Sequence, residues 1–290
     1  MSLRLSGPLV SVANVAAALD DPALRLVDCR WYLGRPGEGR AAYDGGHLPG
    51  AIHLDVDTDL TASSGPGRHP LPEPAVFRGR LEAAGIGDEH TVVAYDDVGG
   101  WVASRLWWML DDLGHGSVAV LDGGIGVWTA AGLPLTTGEP SWPRASLTLR
   151  DSWSRVIDRD ALRASLGSVR VLDARANARY RGDIEPIDAY AGHIPTAVNA
   201  PTDANLAAEG RFKAPGRLAA RYRELGADGS QGPVVVSCGS GVAATHDALA
   251  IRIAGLPDPT LYPGSYSDWT QQGWPVATGD DPGEPPERVG

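Results

Sequence analysis

The sequence predicts an α/β protein built from two tandem domains, each a parallel sheet flanked by helices. Three features carry this expectation: the length, a single internal repeat, and the alternation of short Val-rich runs with longer helical patterns inside each copy. At roughly 100 to 200 residues per domain, a chain of 290 residues holds two. Apolar residues make up 43% and charged ones 21%, an ordinary globular composition.

The repeat comes in four blocks. Leu26-Val27-Asp28-Cys29-Arg30 is answered by Val171-Leu172-Asp173-Ala174-Arg175, an offset of 145 (173 minus 28). Gly46-His47-Leu48-Pro49-Gly50-Ala51-Ile52 is answered by Gly192-His193-Ile194-Pro195-Thr196-Ala197-Val198 at 146, and Val93-Ala94-Tyr95-Asp96 by Val235-Val236-Ser237-Cys238 at 142. Gly132-Leu133-Pro134-Leu135-Thr136-Thr137-Gly138 pairs with Gly273-Trp274-Pro275-Val276-Ala277-Thr278-Gly279 at 141. One order and near-constant spacing imply two copies of one fold.

Strands are expected at Leu24 to Asp28, Thr91 to Tyr95, Ser117 to Leu121, Val169 to Asp173, Val234 to Ser237 and Thr260 to Tyr262. Helices are expected at Ser11 to Leu19, Val102 to Leu113, Arg159 to Ser165, Gly216 to Leu225 and Val242 to Ile253. The first domain then spans 1–136, a Pro- and Gly-bearing linker 137–153, and the second domain 154–290, with a loose tail from about 279.

With 25 basic against 36 acidic residues the net charge is -11, which disfavours nucleic acid and anionic membrane surfaces as partners. A small anionic substrate must then be held by placed arginines and backbone amides, since Lys213 is the only lysine. Two cysteines, Cys29 and Cys238, make neither a disulfide framework nor a Cys-rich metal site and fit a reducing compartment. Polar interruptions between Leu3 and Leu19 exclude a signal peptide, and no apolar run is long enough for a membrane span. The expected location is cytoplasmic.

The copies differ where chemistry is expected. After the central strand the first copy has Asp96 and the second Cys238, which opens Gly239-Ser240-Gly241-Val242-Ala243-Ala244 and leads into a helix. Open parallel sheets bind ligands at this strand-to-helix junction. Amide dipoles there favour a thiolate: a free thiol titrates at about 8.5, and such surroundings lower it to roughly 3.5 to 7.5. Gly239 and Gly241 give the backbone freedom and leave room at the sulfur. A tyrosine phosphatase needs an arginine six residues past its cysteine, and here that residue is Ala244. A serine hydrolase elbow needs Gly two residues before the serine; before Ser240 stands Cys238.

Taken with Trp31-Tyr32-Leu33, Arg105-Leu106-Trp107-Trp108-Met109, Asp122-Gly123-Gly124 and the two Gly-His blocks, this loop resembles the two-domain rhodanese family, and within it the 3-mercaptopyruvate sulfurtransferase branch. The resemblance covers nearly the whole chain. It implies a catalytically silent first domain and Cys238 as a nucleophile that carries sulfur as a persulfide. The donor is a small anionic sulfur compound and the acceptor cyanide, a thiol or a protein, with no metal or organic cofactor. It further implies Arg179 as the residue that binds the donor's anionic group, with Arg181 as a second candidate, and Gly239, Ser240, Gly241 and Val242 as the substrate-binding loop. His47 and Glu38 match a histidine and an acid that the branch turns toward its site, where a proton relay with Ser240 is conceivable.

Two positions depart from the branch: Glu185-Pro186 is followed by Ile187, where a second arginine is expected, and Ala243 replaces a threonine. The thiosulfate branch instead places cations where this loop has Gly239 and Ser240. Mercaptopyruvate is the favoured donor, with thiosulfate, or a non-catalytic persulfide carrier or redox-sensing module, as the alternatives.

Overall fold

The protein is described from a computed structural model over residues 2–286; the last part of the expected tail, 287–290, lies outside the described residues. The chain divides into two compact units. The first comprises Met1–Ser63, Leu71–Ser154 and Leu206–Phe212, and the second Ser64–Pro70, Arg155–Asn205 and Lys213–Gly290. One short segment from each half of the sequence thus belongs to the opposite unit.

In the first unit the elements are β1 (Leu9–Val10), α1 (Val12–Ala16), β2 (Leu24–Asp28), α2 (Glu38–Gly45), β3 (Ile52–His53), α3 (Pro74–Ala83), β4 (Thr91–Tyr95), α4 (Ala103–Asp112), β5 (Val118–Leu121) and α5 (Gly124–Ala130). The strands form a parallel sheet in the order β1-β5-β4-β2-β3. Val92, Val93, Ala94 and Tyr95 of β4 have no exposed surface, which explains why this strand is a continuous apolar run: a parallel strand is covered on both faces.

In the second unit follow α6 (Arg159–Ser165), β6 (Arg170–Asp173), α7 (Asn177–Arg181), β7 (Val198–Asn199), α8 (Pro215–Glu224), β8 (Val234–Ser237), α9 (Ala244–Ile253), β9 (Thr260–Leu261) and α10 (Ser265–Gln271). The parallel order is β7-β6-β8-β9, with the Val-rich β8 beside β6 in the middle. Both units are the α/β sheets that the sequence implies. All six expected strands and all five expected helices are present, with ends moved by a few residues.

Three of the echoed blocks build one strut, made twice. Asp28 holds Arg30 through both carboxylate oxygens, and Arg30 Nη2 donates to the carbonyl of Gly46 at 2.8 Å. Asp173, Arg175 and the carbonyl of Gly192 repeat this, with the last bond at 2.7 Å. The next residue in each copy, His47 or His193, is buried and stacks on Tyr43 or Tyr180. Each histidine also pairs by its backbone with the fourth block, at Thr136 or Ala277. Conserving these blocks inside one chain therefore preserves the fold at the carboxyl ends of β2 and β6.

Residues 137–153 contain no regular element and are bonded to the first unit, for example Ala145 N to Glu82 O at 3.0 Å and Asp88 N to Ser146 O at 3.0 Å. The expected loose tail is tied down as far as it is described. Gly279 donates to the carbonyl of Arg181 at 2.8 Å, and the carbonyl of Asp281 lies 3.2 Å from His193 Nε2.

Candidate functional site

Parallel pairing of β8 with β6 and β9 fixes where the cysteine loop begins. Cys238 is the first residue past β8, and the loop ends at α9. Its sulfur accepts the amide of Gly241 at 3.1 Å, and its own amide donates to Ser265 Oγ at 3.1 Å. Ser265 keeps a left-handed backbone, φ 53°, which costs a non-glycine residue about 1 kcal/mol. It is held there by that bond and by donating to the carbonyl of Tyr262 at 2.9 Å. Cys238 is 2% exposed, so bulk water is largely kept from the sulfur.

Gly241 sits at φ 77°, and a Cβ on it would lie 2.3 Å from the carbonyl oxygen of Pro263. Gly239 is needed for a different reason: a Cβ there would lie 2.8 Å from Arg68 Nη2, 3.5 Å from Arg179 Nη1 and 4.0 Å from Arg175 Cδ. The missing side chain leaves a space ringed by three arginines beside the cysteine.

Three carboxylates hold these arginines. Glu185 accepts three bonds from Arg179, the shortest 2.7 Å, and lies 3.4 Å from Arg175 Nη1. Asp188 accepts from Arg179 Nη2 at 3.0 Å and from Arg68 Nη1, so it joins the two guanidinium groups. Asp173 holds Arg175, whose guanidinium also lies 3.8 Å above the Tyr266 ring. Burial works against the charge of Glu185. Bonds from Arg179 and from the amides of Asp188 and Ile187, with the charge of Arg179, outweigh it and keep the carboxyl below its ordinary range.

Cys238, Arg179, Gly239, Ser240, Gly241 and Val242 therefore come together in the second unit. The other three candidates have partners of their own. Arg181 is ion-paired with Asp183 at 2.9 Å and with Asp280. Glu38 is an exposed first-turn residue of α2 paired with Arg35 at 3.0 Å. His47 belongs to the first unit and is buried, with Nδ1 2.8 Å from the Tyr43 carbonyl and Nε2 3.2 Å from that of Gly138. Both ring nitrogens are thus occupied by backbone, an arrangement His193 reproduces with Tyr180 and Asp281.

The histidine that does meet Ser240 is His69, with Nδ1 2.7 Å from the hydroxyl. His69 and Arg68 lie on the segment Ser64–Pro70, which packs with the second unit although it precedes that half by many residues. Sequence reading missed both. A signal was present: Gly67-Arg68 is answered by Gly210-Arg211 at an offset of 143 (210 minus 67), in line with the other blocks. Leu206–Phe212 is the segment that belongs to the first unit in exchange.

The first unit shows such a loop with a carboxyl group in the place of the sulfur. Asp96 occupies the place of Cys238, and its carboxylate accepts four amides: Val98 and Gly100 at 3.0 and 2.8 Å, Val102 and Ala103 at 2.9 Å each. Burial pushes this carboxyl above the usual aspartate range, and the four amides pull it back in part. Among the described residues no His, Cys, Asp or Glu group of three could hold a metal, and no helix is long and apolar enough to cross a membrane.

Comparison with known proteins agrees with this geometry. The family model of the Rhodanese-like domain matches residues 11–131 and again 158–272. The chain is 43% identical over 282 residues to the "Probable 3-mercaptopyruvate sulfurtransferase" of Pseudomonas aeruginosa, covering 95% of this chain and 99% of that one. It is 34% identical over 262 residues to the thiosulfate sulfurtransferase of Rattus norvegicus, covering 88% and 87%. The solved 3-mercaptopyruvate sulfurtransferase from Leishmania major superposes with a TM-score of 0.81 at 31% identity, covering 94% of this chain and 76% of that chain. By its sequence in both halves and by its architecture, this chain belongs to the rhodanese family.

Proposed function

We propose that the protein is a sulfurtransferase in which Cys238 takes the sulfur of 3-mercaptopyruvate and passes it on. The observation that carries this is the Cys238 sulfur on the amide of Gly241, at the edge of the space over Gly239 that the guanidinium groups of Arg68 and Arg179 and the aliphatic stem of Arg175 line. In the first half-reaction the Cys238 thiolate attacks the donor sulfur. An S–S bond forms, the carbon–sulfur bond breaks, and its electron pair leaves on carbon as the pyruvate enolate, which then takes a proton. Ser240, hydrogen-bonded to His69, is placed to manage that proton. In the second half-reaction the acceptor, which is cyanide, a thiol or a protein cysteine, attacks the outer sulfur and releases the thiolate.

Charge favours a monoanionic donor. Arg68, Arg175 and Arg179 face Asp173, Glu185 and Asp188, three cations against three anions, so the cluster has no surplus charge for dianionic thiosulfate. A planar guanidinium edge suits one carboxylate. With both cysteines free, a reducing, cytoplasmic location fits the chemistry.

The test is intact mass after incubation with donor. Mercaptopyruvate should add one sulfur to the wild type and none to Cys238→Ser, and cyanide should remove it as thiocyanate. Turnover by Cys238→Ser would overturn the assignment. A wild type that accepts sulfur from neither mercaptopyruvate nor thiosulfate would be a carrier rather than an enzyme.

A further inference from the structure

The second unit gathers its exposed apolar side chains on one short loop. Ile184, Ile187 and Tyr190 are 57%, 41% and 50% exposed, three of the six large hydrophobic side chains that stand exposed among the described residues. From 184 to 191 the chain forms no helix or strand and divides its residues sharply. The Glu185 and Asp188 side chains turn inward and are 3% exposed, while Ile184, Pro186, Ile187, Ala189, Tyr190 and Ala191 face solvent. Every charge in this stretch is thus committed to the arginines beside the cysteine loop, and every exposed residue is uncharged. Scattered singly, such side chains need no explanation; gathered together, they mark a contact surface.

The loop is tied down and stands close to the nucleophile. Glu185 accepts the amides of Ile187 and Asp188 at 3.0 Å each, and the Tyr190 carbonyl accepts the Tyr266 hydroxyl at 3.1 Å. Tyr266 in turn gives its amide to the carbonyl of Cys238 at 3.0 Å. Charge narrows what fits there. Arg181, just before the loop, pairs with Asp183 and Asp280, and Asp281 follows, so three exposed carboxylates stand against one guanidinium at this corner.

We infer that this loop docks the sulfur acceptor, and that the acceptor it fits is a peptide or protein cysteine with apolar neighbours and a lysine or arginine close by. The inference rests on the sulfurtransferase reading above. Cys238 is 2% exposed, so a cysteine carried on a polypeptide reaches it only by pressing its flanking residues against the rim, whereas cyanide enters without touching it. In the transfer the acceptor thiolate attacks the outer sulfur and a new S–S bond forms. The bond to Cys238 breaks with its electron pair returning to the Cys238 sulfur, and the acceptor leaves as a persulfide. A second copy of this chain is a poorer occupant, because its own loop carries the same negative surplus.

The experiment starts from the Cys238 persulfide, made with mercaptopyruvate and freed of donor. It is mixed with cyanide, with the peptide Ac-Lys-Leu-Cys-Leu-Lys-amide or with Ac-Gln-Ser-Cys-Ser-Gln-amide, and loss of the added sulfur is followed by intact mass. Per thiolate, the apolar basic peptide should react about 10-fold faster than the polar one, the gain expected from partial burial of aliphatic side chains. In Ile184→Ser/Ile187→Ser/Tyr190→Ser the advantage should shrink to within about two-fold, and Tyr190→Ser alone should remove part of it. The cyanide rate should stay within about two-fold of wild type in both variants, as exposed substitutions disturb the fold little. Equal peptide rates in the wild type, an advantage that survives the triple variant, or a cyanide rate that falls together with the peptide rates would each overturn the inference while the sulfurtransferase reading stands. So would a wild-type dimer that the triple variant separates in sedimentation, which would make the loop a contact between copies. If the wild type gains no sulfur on Cys238 from the donor, that reading falls and the docking loop with it.

Discussion

Gly241 sends its amide to the sulfur of Cys238 at 3.1 Å from a backbone position, φ 77°, that faces the carbonyl of Pro263. A Cβ here meets rigid backbone, whereas a Cβ on Gly239 meets the far ends of arginine side chains that can swing away. The two glycines should respond differently. Gly241→Ala is expected to cost about 2 kcal/mol or more of stability and to abolish persulfide formation, because the amide is displaced from the sulfur. Gly239→Ala is expected to fold with near wild-type stability and to raise KM for mercaptopyruvate. Thermal melts paired with donor titrations check this; equal stability losses would be inconsistent with it.

Ser240 and His69 form a 2.7 Å pair beside the cysteine, and the two donors should differ in their need for it. Pyruvate leaves as an enolate that must be protonated on carbon, whereas sulfite leaves thiosulfate as a stable anion. Ser240→Ala and His69→Gln should each reduce kcat with mercaptopyruvate about 100-fold, the range of a general acid–base contribution. Any rate measured with thiosulfate should change far less. Steady-state rates with both donors decide this, and a parallel loss would mean that the pair only shapes the loop.

Asp96 satisfies four buried amides in the first unit. Asp96→Ala leaves them without an acceptor and should destabilise the protein by about 3 kcal/mol or more. Asp96→Asn should not rescue it, since its NH2 would turn donors toward donors. Urea unfolding measures the loss. Sulfur loading of Cys238 in the folded fraction should persist, and its disappearance would give the first unit a direct part in the chemistry.

These cases mark what was legible in the sequence and what was not. The sheets were legible because Val92 to Tyr95 in β4 and Val234 to Val236 in β8 are buried and so appear as unbroken apolar runs. The two-residue strands Leu9–Val10, Ile52–His53 and Val198–Asn199 were not, because pairing with a neighbour, rather than any pattern of their own, makes them strands. Cys238, its loop and Arg179 are expected from the sequence because local motifs carry them, and the fold brings them together. The His47 block repeats with a structural reason visible only in the fold, a stacked ring with both nitrogens on carbonyls. Arg68 and His69 stayed hidden because segment exchange places them at the loop from more than a hundred residues away, in a Gly- and Pro-rich stretch without periodicity.

Asp247 gives the second unit a pH dependence of its own. It lies on α9, the helix that the cysteine loop enters, and burial pushes its carboxyl up to about 7 against the lowering pull of Asn205, Arg221 and Tyr222. Asn205 Nδ2 donates to Oδ1 at 2.8 Å and the Tyr222 hydroxyl lies 3.1 Å from the same oxygen, while Oδ2 has no hydrogen-bond partner among the described residues. In the unfolded chain an aspartate titrates at about 4. Between that value and about 7 the folded protein retains a proton that the unfolded chain has lost, so stability falls as the pH rises through this window and levels off above it. Asp247→Asn keeps the neutral shape and cannot ionise. It should flatten the decline and exceed the wild type in stability at pH 8, by roughly 2 kcal/mol, while matching it more closely near pH 4. Urea unfolding at pH 4, 6 and 8 for both proteins measures the difference; parallel pH profiles would mean that Asp247 is ionised in the fold and that Arg221 neutralises it.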